Sequence, residues 1–128
     1  MKIKLNGIFV DDQQKALDFY TDILGFKKSQ DFPVGEFRWI TVASPEGGDA
    51  ELALEPNANP DARVFQEAMF KQGIPMTAFE VDDLEGEVKR LTDLDVAFTT
   101  GPTDAGEVTF AVFVDTCGNL IQIYQPKS

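Results

Sequence analysis

Histidine is absent from the 128 residues and cysteine occurs once, so the side chains that most often serve acid-base, nucleophilic and transition-metal chemistry near neutral pH are nearly missing. Chemistry falls to carboxylates, lysine, tyrosine and amides. The carboxylate of most interest is Glu51 in AELALEP, residues 50–56, where it alternates with Leu52 and Leu54 and shares a strand face with Ala53 and Glu55. A buried carboxylate is costly unless it is paired, protonated or matched by a ligand cation. Glu51 could hold a cation, act as a base, or sit at a rim, solvated or bonded to a neighbour such as Arg38. In NLIQIYQ, residues 119–125, Ile121 and Ile123 point to a core while Gln122 and Tyr124 point the other way. Glu80 shares a face with Met76 and Ala78 and would add a further acid at a strand end.

Other chemistries find no support. Cys117 lies in DTCGN with no adjacent His or Lys to activate it, and a serine triad cannot form without histidine. Neither GxGxxG nor a phosphate-binding glycine loop is present. Twenty-two acidic against 11 basic residues give a net charge of -11, which argues against nucleic acid and membrane surfaces as partners. No apolar run approaches the roughly 20 residues of a membrane span. The opening MKIKLNGIFVDDQQKAL reaches paired aspartates before any stretch suited to a secretory signal, so the expected location is the cytoplasm.

The elements that must position these residues come in two similar sets. FVDDQQKALDFYTDILGF at 9–26 is echoed by EVDDLEGEVKRLTDLDVAF at 80–98, and superposing VDD on VDD sets an offset of 71 residues. Each set opens with a strand (3–10 and 75–81) and continues through an aspartate pair that can cap a helix, the first Asp having Gln or Glu three residues on. The first helix should bury Ala16, Phe19, Tyr20, Ile23 and Leu24 and end at Gly25. The second should bury Leu84, Val88 and Leu91. Strand character returns in GFKKSQ, FRWITVAS and AELALEP, and again in DVAFTT, VTFAVFVD and NLIQIYQ. The reading is one α+β domain over 1–128, made of two βαβββ modules (1–56 and 75–128) and a connector helix within 57–74. That connector would lay Val64, Phe65, Ala68 and Met69 on the sheet.

On VDDQQKALDFYTDILGF, VDDLEGEVKRL and the closing DTCGNLIQIYQ, the chain resembles the vicinal-oxygen-chelate superfamily, which includes glyoxalase I, extradiol dioxygenases, fosfomycin-resistance enzymes and bleomycin-resistance proteins. The resemblance implies eight strands of a mixed sheet curled into a cup, a homodimer, and a metal or organic ligand in the cup. It places the metal-ligand positions of the enzymes on Leu5, Glu51, Met76 and Gln122, two pairs at the offset of 71. Leu, Met and Gln offer little to a hard or borderline cation, so no metal and no cofactor is expected. The expected ligand is instead a small organic molecule, cationic and aromatic in character, held by Leu5, Phe9, Trp39, Glu51, Met76, Gln122 and Tyr124. Two alternatives stand beside this reading. One is a lyase or isomerase using Glu51 as metal ligand or base, and the other is an interaction module whose cup is packed shut.

Overall fold

The computed structural model describes residues 1–127. They form β1 (Leu5–Val10), α1 (Gln13–Asp18) widening into a π-turn over Phe19–Ile23, β2 (Lys27–Val34), β3 (Phe37–Ala43), β4 (Glu51–Pro56) and α2 (Pro60–Lys71). Then follow β5 (Thr77–Glu80), α3 (Leu84–Asp93), β6 (Phe98–Asp104), β7 (Val108–Val114) and β8 (Leu120–Pro126). The strands make two four-stranded mixed sheets, ordered β1-β4-β3-β2 and β5-β8-β7-β6. The chain divides into two compact units, 1–66 and 67–128, with the division inside α2.

In the first unit, β1 and β4 run parallel, as a strand-helix-strand crossover requires, and β2–β3 and β3–β4 are antiparallel. Period-2 alternation sends Ile8, Val10, Ile40, Val42 and Leu54 into a core that takes in Ala16, Leu17, Phe19 and Tyr20. Tyr20, fully buried, stacks on Phe26 with ring centroids 6.5 Å apart. The expected burial of Ile23 and Leu24 is only partial. Widening to a π-turn adds a residue to the turn and shifts the apolar face, before Gly25, at φ +91, ends it.

Both helix caps are one residue later than the capping-box reading places them. Asp12 accepts from Lys15 N and Asp83 from Gly86 N, so the second aspartate of each pair is the cap. The connector also departs from expectation. Val64 and Phe65 are exposed, at 66% and 50%, whereas Gln66 is 2% exposed. Gln66 Nε2 donates to the Phe9 carbonyl and its Oε1 accepts from Asn57, so α2 is anchored by an amide that satisfies buried polar groups.

In the second unit β5–β8 is parallel and β6–β7 and β7–β8 are antiparallel. Leu84 and Leu91 of α3 are buried, Val88 partly so, against a sheet whose core residues include Ala111, Phe113, Ile121 and Ile123. The β7–β8 turn is built around Asp115, which is fully buried. Its carboxylate accepts from Cys117 N at 2.7 Å, Asn119 N at 2.9 Å and Asn119 Nδ2 at 2.8 Å. Cys117 is therefore a buried turn residue.

Candidate functional site

In the first unit, β-sheet register determines which residues share a face. Leu5 lies opposite Glu51, Gly7 opposite Ala53, and Phe9 opposite Glu55; Thr41 lies opposite Ala53 and Phe32 opposite Trp39. All are on the face away from α1. Phe32, Val34 and Phe37 remain exposed there, at 50%, 55% and 38%, an apolar and aromatic surface.

The β3–β4 ladder holds only from Thr41–Ala53 to Ala43–Glu51, after which the strands part. Gln13, the first residue of α1, fills the split from the helix side. Its amide donates to the carbonyls of Arg38 at 2.6 Å and Leu54 at 2.9 Å, and its oxygen accepts from Arg38 N at 3.0 Å. The split opens a cavity of about 210 Å³ bordered by Val34, Phe37, Trp39, Ala53, Glu55 and Pro56, among others. Trp39 is held on its wall by a 2.6 Å bond from Nε1 to Gln30 Oε1. In the second unit the β7–β8 ladder continues unbroken from Val114–Leu120 to Val108–Pro126. There the join is reversed, with Gln125 Oε1 of β8 accepting from the Leu84 backbone at the start of α3, at 2.9 Å.

Glu51 is not in the split. Thr41 Oγ1 donates to it at 2.6 Å, and hydrogen bonds from Thr41 and then Ser29 hold its carboxyl below the usual carboxylate range. Arg38, the neighbour considered for Glu51, faces the other way. Its Nη2 and Nε bond Asp31 at 2.7 and 3.1 Å, and Nη1 bonds Gln14 at 2.7 Å. Glu55 does border the cavity, but its carboxylate is turned away from β3 and lies over Gly7 of β1, where an added Cβ would collide with Glu55 Oε2; the bare backbone of Gly7 leaves room for that rotamer. Glu55 makes no side-chain hydrogen bond or ion pair among the described residues.

Gln122 lies between Ala78 and Val112, and Tyr124 between Glu80 and Phe110, both half-buried and facing opposite to buried Ile121 and Ile123. Among the described residues neither side chain has a hydrogen-bond partner. The register also corrects the symmetry expected for the ligand positions. The offset of 71 relates Asp12 to Asp83 and Thr41 to Val112, but the β3–β4 connection (44–50) is two residues longer than β7–β8 (115–119). Ala53, opposite Gly7, therefore matches Gln122, opposite Ala78, at an offset of 69. Glu51 instead matches Leu120, which accepts from Met76 N at 2.8 Å. Within the first unit Leu5 and Glu51 supply one anionic donor, and within the second Met76 and Gln122 supply none, so neither half by itself holds a donor set suited to a divalent metal. No group of three or more acidic, histidine or cysteine side chains suited to a metal occurs among the described residues.

The Asp31–Arg38 pair gives a testable pH dependence. Hydrogen bonding from Arg38, with added attraction from Arg38 and Lys28, lowers the Asp31 pKa from 3.8. A depressed folded pKa contributes stability above the unfolded value that is lost as the pH falls through the folded one. Asp31→Asn should therefore melt below the wild type near neutral pH, with the gap closing as the pH drops under 3.8. Thermal melts from about pH 7 to about pH 2.5 read this; a gap that widens on acidification contradicts it.

The paired βαβββ units, with an apolar split on one sheet and polar tips on the other, define the class. The sequence profile of the Glyoxalase/Bleomycin resistance protein/Dioxygenase superfamily matches residues 2–123, and the chain belongs to that superfamily. It is 56% identical over 126 residues to the uncharacterized protein YurT of Bacillus subtilis (strain 168), covering 98% of this chain and 99% of that one. The crystal structure of UcmS2 superposes with a TM-score of 0.84 at 29% identity, covering 97% of both chains. That of TnmS3, an antibiotic binding protein from Streptomyces sp. CB03234, superposes with a TM-score of 0.80 at 30% identity, covering 99% of this chain and 97% of that one. No helix among the described residues is long and apolar enough to cross a membrane.

Proposed function

We propose that this protein is a cytoplasmic homodimer that binds a small aromatic organic molecule without a metal, using the β3–β4 split as its primary site. The observation that carries the reading is the 210 Å³ cavity, walled by Val34, Phe37 and Trp39 and bordered by few polar groups, the usual make-up of an organic-ligand site. The antibiotic-binding relative TnmS3 supports the reading. Exposed Leu5, Phe32 and Phe65 supply apolar surface of the kind a subunit interface covers, and sedimentation at several concentrations tests the dimer. The lyase or isomerase alternative would make Glu51 a ligand or base. Hydrogen bonds from Thr41 and Ser29 lower the pKa of its carboxylate, which weakens it as a general base.

The test is thermal shift on chelator-treated protein with phenyl and naphthyl compounds and with Mn, Ni, Zn and Fe salts, read beside Trp39 fluorescence. A ligand of the native state must raise its apparent stability. Aromatic compounds should raise Tm and change Trp39 emission, while the metals do neither. A metal-dependent rise in Tm that Glu51→Gln abolishes would replace this reading with the enzyme one.

A further inference from the structure

Resting on the dimer part of that reading, we infer that two copies of this chain associate through α2, whose outer face is self-complementary about a two-fold axis. Helical spacing lays Asp61, Val64, Phe65, Ala68 and Lys71 along one side, at i, i+3, i+4, i+7 and i+10. The more buried stripe is a different one, Ala62, Gln66 and Met69, anchored by the Gln66 amide. Val64 and Phe65 are thereby left in water. Apolar side chains grouped on a helix face are of the kind a partner covers, and charge says which partner. Asp61, in the first turn, and Lys71, in the last, make no ion pair among the described residues. The charges on and beside α1 and α3 do pair locally, Lys15 with Asp11, Arg90 with Glu87 and Lys89 with Asp93. A face with an acid at one end, a base at the other and apolar residues between matches itself when one copy is turned end for end. Antiparallel pairing sets Asp61 against the partner's Lys71 twice and Val64 against the partner's Ala68 twice, with the two Phe65 rings meeting at the axis. The small side chain of Ala68 suits helix axes about 8–10 Å apart. From Asp61 to Lys71 the face is only about 15 Å long, so the interface is small and the dimer should be weak, dissociating in the micromolar range.

The test is a charge swap read by sedimentation equilibrium across the micromolar range. Asp61→Lys should weaken the dimer about tenfold, because the change is felt twice across the axis, and Lys71→Asp should do the same. The double variant Asp61→Lys with Lys71→Asp, which exchanges the two ends, should restore it. Removing one negative charge and adding one positive takes the net charge from -11 to -9 in Asp61→Lys. Relief of general repulsion would then strengthen association, where the inference expects it to weaken. Phe65→Ser should abolish the dimer. Phe70→Ser alters an exposed phenylalanine on the opposite side of the helix and should leave the dimer intact. All four positions are exposed, so every variant should melt close to the wild type in dilute solution. A wild-type dimer that tolerates Phe65→Ser and both single reversals overturns the inference while leaving the dimer reading intact, with its interface elsewhere. Single reversals that the double variant does not repair overturn it as well, since the two ends then do not face each other. A wild type that is monomeric at every concentration overturns the inference and the dimer reading together, and leaves the α2 face to a different protein.

Discussion

Asp115→Ala should lower the stability by about 3–5 kcal/mol, enough to bring Tm down by more than about 10 °C in a chain of this length. Three donors converge on this carboxylate inside a turn with no exposure to water: two backbone N–H groups and the Asn119 amide. Alanine leaves all three buried and loses the bonds that hold the β7–β8 connection closed. Thr116 and Gly118 stand at positive φ in that turn, at +64° and +101°, a conformation with little support once Asp115 is gone. Asp115→Asn keeps an acceptor oxygen but turns an N–H₂ toward donors, and should cost about 1–3 kcal/mol. Urea unfolding checks both, through a lower midpoint at unchanged slope. A midpoint within error of the wild type for Asp115→Ala would show that the turn stands without its carboxylate.

The second large effect is expected at Gln13. Gln13→Ala removes three hydrogen bonds that replace the missing ladder between β3 and β4, and should cost about 2–4 kcal/mol. It should also be felt on the far side of the sheet, since Arg38 and Leu54 border the cavity that the split creates. Gln13→Glu is the sharper probe, because a carboxylate keeps the bond from Arg38 N but sets negative charge against two carbonyls. The amide of Arg38 should then stay protected from hydrogen exchange in Gln13→Glu and lose protection in Gln13→Ala. Both variants should shift the Trp39 indole signal. Equal protection in all three proteins would mean that the strands are held apart by something other than this side chain.

Much of the fold is readable in the residues themselves, because alternation along strands and the recurrence of VDD are local signals. Ile121 and Ile123 against Gln122 and Tyr124 is such a case, and the sides came out as the alternation implies. What escaped depends on relations between distant residues. The offset of 71 does not carry over to β4 and β8, because two extra residues in the β3–β4 connection shift β4 against β8, a register that pairing reveals and counting does not. Gln66 and Gln13 read as surface amides, and their burial follows from unpaired backbone groups contributed by other elements. Glu51 drew attention over Glu55 for the same reason. The two alternate identically in AELALEP, and only the hydroxyl of Thr41 on one side and the bare backbone of Gly7 on the other tell them apart. The signal that could have found Glu55 was a glycine in the middle of the strand at 3–10, a usual mark of something approaching the backbone closely.

The glutamine at the start of α1 and the glutamine near the end of β8 carry a consequence for how the two halves of the repeat can be exchanged. Each half joins its helix start to its last strand, but the side chain is supplied by the helix in one half and by the strand in the other. A graft that moved α3 into the place of α1 would bring Leu84 to meet Leu54, with no amide on either partner. The reverse graft would bring two, competing for one contact. A chimera of two first halves would carry two open ladders, and one of two second halves none. The halves are thus legible as copies of each other in outline, while the amide that joins helix to last strand comes from opposite partners in the two.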